Sequence, residues 1–94
     1  MGIHELQNVT LQGTAVNRAK AYHQLAQTYL KHGNNYLAET MLDCMYSILN
    51  QQDAPVYIQI DYEPVLNHYL KRHNRVKVEQ YIRLMTQEQQ RLKE

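Results

Sequence analysis

The chain has 94 residues, of which 44% are apolar and 20% charged, and a formal net charge of +1. This is the composition of one small globular domain, not of a disordered chain, and its balanced charge gives no global attraction to nucleic acid or anionic membrane. The single cysteine, Cys44, excludes an intramolecular disulfide, and no apolar run reaches the length that crosses a bilayer.

Residues 1–13 alternate weakly between polar and apolar types and end at Gly13, which reads as an N-terminal arm or short helix. Met1–Glu5 has neither the basic start nor the apolar stretch of a secretory signal, so a cytoplasmic protein is expected. Gly2 is no myristoylation site, because Leu6 stands where that motif has Ser or Thr.

Thr14 is a suitable cap for a first helix over Ala15–His32, with Ala19, Tyr22, Leu25, Ala26, Tyr29 and Leu30 on its apolar stripe. Gly33-Asn34-Asn35 ends it with the residue types that favour a left-handed helix stop. A second helix is expected over Tyr36–Leu49, with Ala38, Met41, Leu42, Met45, Ile48 and Leu49 inward. The short connection makes the pair an antiparallel hairpin.

Residues 51–57 form a polar linker closed by Pro55. Val56–Ile60 has strand propensity but no partner strand, so it is assigned to the approach of a third helix. That helix is expected to run to about His73, capped by Asp61, with Pro64 in its first turn and Tyr62, Val65, Leu66, Tyr69 and Leu70 inward. A fourth, from Arg75, places Val78, Tyr81, Ile82, Met85 and Leu92 on one face, and its polar tail over Gln87–Glu94 is expected to project or fray. The expected fold is all-α: a single helical domain over 1–94, made of hairpin 1 (14–50) and hairpin 2 (58–94).

The hairpins align at an offset of forty. Tyr29-Leu30-Lys31 meets Tyr69-Leu70-Lys71, Asn34 meets Asn74, Glu39 meets Glu79, and Met45 meets Met85, with Ala38 opposite Val78 and Leu42 opposite Ile82. Similar amphipathicity explains the apolar matches but not the Lys, Asn and Glu matches, which point to a repeat.

Leu25-Ala26, Tyr29, Gly33, Ala38 and Leu42, with Tyr22 before them, resemble the tetratricopeptide repeat over Ala19–Asn50. Val65-Leu66, Tyr69, Val78 and Ile82 fit the second copy less well, since His73 replaces the turn glycine and Val78 the small alanine. The spacing exceeds the family's usual ~34 residues, and in this it resembles the longer repeats in regulatory domains of bacterial peptide-sensing regulators. The resemblance implies a stack of hairpins whose first helices line a groove for a peptide. Its polar residues would be Lys20, His23, Gln27 and Lys31 from the first copy and Asn67 and Lys71 from the second. Two hairpins can equally close as a four-helix bundle.

No arrangement of residues carries chemistry. His68 and His73 lie five apart and do not share a helical face, no second cysteine joins Cys44, and no metal or cofactor is expected. Glu39 and Asp43 share a helical face as ordinary solvated acids, and neither a nucleophile motif nor a phosphate loop is present. The one dense charge feature is Lys71-Arg72-His73-Asn74-Arg75-Val76-Lys77. Its cations Lys71, Arg72, Arg75 and Lys77 read either as a phosphate-binding patch, even part of a helix-turn-helix, or as solubilising charge at a helix end. Near-neutral total charge and the nearby Asp61 and Glu63 favour the second. The function expected is therefore non-enzymatic: an adaptor, chaperone or regulator binding a peptide or helix of a partner protein. A homodimer is a further possibility and the nucleic-acid reading the alternative.

Overall fold

The computed structural model describes residues 2–4, 7–8, 13–50 and 60–92, with residues 91 and 92 described by their backbone alone. The linker over 51–57 and most of the N-terminal arm lie outside the described residues. What is described is all-α, and helical hairpins form it. The chain divides into two compact units, Met1–Ile60 and Asp61–Glu94.

The first unit holds α1 (Ala15–Lys31) and α2 (Asn35–Leu49), packed on each other. The Thr14 hydroxyl accepts the Asn17 N–H at 3.2 Å and so satisfies one of the donors that a helix start leaves open. The apolar stripes fall inward as their periodicity requires. Ala19, Leu25, Ala26, Ala38, Leu42, Met45, Ile48 and Leu49 are buried, and Tyr29 and Met41 pack on the Ala21–Leu25 cluster. Ala38 is fully buried; at that position a larger side chain would push the helices apart.

The turn between α1 and α2 is a Schellman motif. The Gly33 N–H donates to the Leu30 carbonyl (3.1 Å), and the Asn34 N–H to the Tyr29 carbonyl (2.9 Å). Gly33 takes φ 74°, a backbone region open to glycine at no steric cost. The Asn34 side chain then caps α2 by accepting the Leu37 N–H at 3.2 Å. His32 closes the preceding turn, its Nδ1–H donating to the Thr28 carbonyl at 2.8 Å.

The second unit holds α3 (Glu63–Lys71) and α4 (Arg75–Leu92), also packed on each other. α3 is shorter than the sequence suggests. Ile60–Tyr62 are not helical, and the helix stops at Lys71, not near His73, because the residues after it are spent on the turn. Tyr62, not Asp61, is the residue at the cap position, and its own side chain makes no capping bond. The Asp61 carboxylate, one residue before the cap, still accepts the Glu63 N–H at 3.0 Å. Pro64 sits in the first turn, where its missing N–H leaves no bond unmade.

The core of this hairpin is a tyrosine cluster. Tyr69 and Tyr81 are fully buried and stack at 5.9 Å with 17° between their rings, and Tyr62 meets Tyr81 at 6.2 Å. Two expectations for these helices fail. Leu70 and Ile82, assigned to the apolar stripes, are 56% and 49% exposed, whereas Leu84, left out of them, is buried. The inward face of α4 centres on the buried Tyr81 and Leu84, flanked by the half-buried Lys77, Val78, Met85 and Glu88. The polar tail, expected to project or fray, is helical as far as Leu92.

Candidate functional site

The turn between α3 and α4 is built like the first. The His73 N–H donates to the Leu70 carbonyl (3.1 Å), and the Asn74 N–H to the Tyr69 carbonyl (3.0 Å). The Asn74 side chain caps α4 by accepting the Lys77 N–H at 3.3 Å. Each bond repeats one made forty positions earlier.

Beside this turn lies a hollow of about 490 Å³, lined by Tyr69, Leu70, His73, Asn74, Arg75, Val78 and Glu79. Its volume is in the range of small-ligand and anchor pockets. The last turn of α3 supplies Tyr69 and Leu70, the Schellman turn supplies His73 and Asn74, and the first turns of α4 supply the rest. Tyr69 is buried, Val78 half-buried, and Leu70 exposed. Val76, at 64% exposure, is a further apolar side chain turned to water on α4.

The same turn carries the basic cluster. Lys71, Arg72 and Arg75 are exposed and Lys77 is half-buried. Arg75 lines the hollow; Lys71 directly follows Leu70, and Lys77 directly precedes Val78. Charge and apolar surface therefore share one end of the hairpin. Sequence reasoning found the cations and missed the apolar half, because Leu70 and Val78 have the spacing of core residues. No family model, no curated protein and no solved structure matches the chain.

The residues of the expected groove are placed as follows. On α1, Lys20 and Lys31 are exposed and His23 and Gln27 half-buried; their steps of three, four and four put them along one face. The Gln27 Nε2 atom is shielded from solvent and has no hydrogen-bond partner among the described residues. Asn67 and Lys71 are exposed one turn apart on α3.

Among the described residues no three His, Cys, Asp or Glu side chains gather as a metal site, and no helix is long and apolar enough to cross a membrane. Cys44 is half-buried within α2.

The electrostatic perturbations lie elsewhere in the hairpin. Burial raises the pKa of the Tyr62 hydroxyl well above its ordinary value, and the charge of Glu88 adds to that rise. Burial also raises the Glu88 carboxyl above the ordinary 4.5. These two groups belong to the packing of Tyr62 near α4, not to the hollow.

Proposed function

We propose that the chain is a non-enzymatic interaction module, a small cytoplasmic adaptor, chaperone or regulator that binds a peptide or helix of a partner protein. The observation that carries this reading is apolar surface held in water: Leu70, Val76 and Ile82 are 56%, 64% and 49% exposed on one short hairpin. Surface of this kind next to a hollow characterises binding faces more than catalytic ones. The bond-for-bond likeness of the two turns supports reading the hairpins as tetratricopeptide-like copies. On α1 the face of Lys20, His23, Gln27 and Lys31, and separately on α3 the exposed Asn67 and Lys71, supply donors suited to a peptide backbone or carboxylate.

The test is affinity capture by the full chain, with the captured protein identified and its binding re-measured with purified components. Loss of that partner in Leu70→Ser/Val76→Ser supports the reading. A chain that sediments as a monomer and captures no protein overturns it; self-association lost in the same variant assigns the face to a homodimer.

One observation favours a second reading, a nucleic-acid-binding regulator: Lys71, Arg72 and Arg75 are all exposed. A salt-sensitive gel shift abolished by Lys71→Ala/Arg75→Ala would establish it. The interleaved Leu70 and Val76 count against it, since a phosphate-binding surface gains nothing from exposed aliphatic side chains.

A further inference from the structure

We infer that the hollow beside the α3–α4 turn docks an acidic segment of a partner protein that inserts an apolar anchor residue. The inference rests on the proposed interaction function and gives it a place and a partner chemistry.

The hollow has an apolar floor and a charged rim. Half-buried Val78 supplies the accessible apolar floor, with the fully buried Tyr69 behind it, and Leu70 at its edge remains more than half exposed. An aliphatic or aromatic side chain placed there removes apolar surface from water on both sides. At its rim, Arg75 of the lining and the exposed Lys71, next to Leu70 in the chain, set two cations against the one carboxylate of the lining, Glu79. A segment carrying carboxylates beside its anchor meets complementary charge, while a basic one meets repulsion.

Single-stranded nucleic acid fits this end of the hairpin less well. Its bases stack on exposed aromatic rings, and the tyrosines of this hairpin, Tyr62, Tyr69 and Tyr81, are buried among themselves.

Fluorescence anisotropy of the full chain tests the inference with four labelled probes. They are a peptide with leucines one helical turn apart among glutamates, its serine-for-leucine version, its lysine-for-glutamate version, and oligothymidine. The acidic leucine peptide is expected to bind most tightly and to lose affinity with added salt. Lys71→Glu/Arg75→Glu should weaken it by about tenfold or more, and Leu70→Ser should weaken it with far-UV circular dichroism unchanged. Equal binding of the lysine version, tighter binding of oligothymidine, or no response to either variant overturns the inference. No binding of the acidic peptide, in a chain whose identified partner is still lost in Leu70→Ser/Val76→Ser, overturns the acidic preference and leaves the interaction function standing.

Discussion

His73 holds at φ 55° the left-handed backbone that Gly33 holds at φ 74°, forty positions earlier and in the same turn. The hydrogen bonds around the two residues are the same, so the turn dictates the conformation and the side chain is incidental to it. In an L-residue with a β-carbon that conformation costs about 1 kcal/mol or more. His73→Gly should accordingly raise stability by about 1 kcal/mol, less the entropy that glycine adds to the unfolded chain. Gly33→Ala should lower it by about 1 kcal/mol, for backbone reasons alone, since a β-carbon there meets nothing within 4 Å. Urea denaturation of both variants measures this. A destabilising His73→Gly would show that the histidine ring contributes more than its backbone loses.

The two turns share a second device. Asn34 and Asn74 each cap the following helix through the side chain while their backbone N–H groups close the Schellman motif. Replacement by alanine leaves the backbone bond and removes the cap. Asn34→Ala and Asn74→Ala are each expected to cost about 1 kcal/mol, and Asn→Asp to retain most of the cap. If the aspartate variants lose as much as the alanine variants, the asparagines act through something other than capping.

The first turn was legible in the sequence because Gly33-Asn34 meets its backbone demands, whereas the second carries His73 at the left-handed position and was marked by Asn74 and the alignment at forty. The stripes of α1 and α2 were legible for a related reason: long, clean helical periodicity leaves one face to bury. The face of α4 was not. The half-buried Lys77 and Glu88 flank the buried Tyr81 and Leu84 at helical spacing, and these polar flanks turn the hydrophobic pattern toward Ile82 and away from Leu84. The hollow was hidden by the same ambiguity, since a leucine at core spacing reads as core whether or not anything covers it. α3 has only nine residues, too few for periodicity to decide which of Leu66 and Leu70 turns inward.

Tyr81 holds the second hairpin together. It is fully buried on α4 and touches rings from the start and the end of the α3 segment, Tyr62 at 6.2 Å and Tyr69 at 5.9 Å. Tyr81→Ala leaves a ring-sized cavity between two aromatic neighbours and should cost about 3–5 kcal/mol. That is a large part of the stability of a domain this small, and the variant should lose cooperative thermal unfolding. Ile82→Ala, one residue on but half exposed, should change stability by less than about 1 kcal/mol. Thermal melts of the pair decide the matter, and similar losses would mean that the face of α4 is not the one described.

Glu88 makes stability depend on pH in a direction opposite to that of most paired carboxylates. Its folded pKa is raised by burial, so the native state binds its proton more tightly than the unfolded chain does. Below the ordinary carboxyl value of 4.5 the group is protonated in both states and carries no penalty. As pH rises through the raised folded value, the carboxylate ionises in partly apolar surroundings and that advantage is lost. Tyr62 adds nothing to this window, because its hydroxyl is neutral in both states until well above neutrality. Glu88→Gln should therefore be more stable than the native chain near pH 7, and the difference should shrink toward about pH 4. The substitution also removes a negative charge from the last turns of α4, where the helix dipole disfavours it; that contribution too vanishes on protonation. Paired urea titrations at the two pH values check the sign. A variant that loses ground to the native chain as pH rises would mean that Glu88 is held by a favourable partner and that its burial is not what sets its pKa.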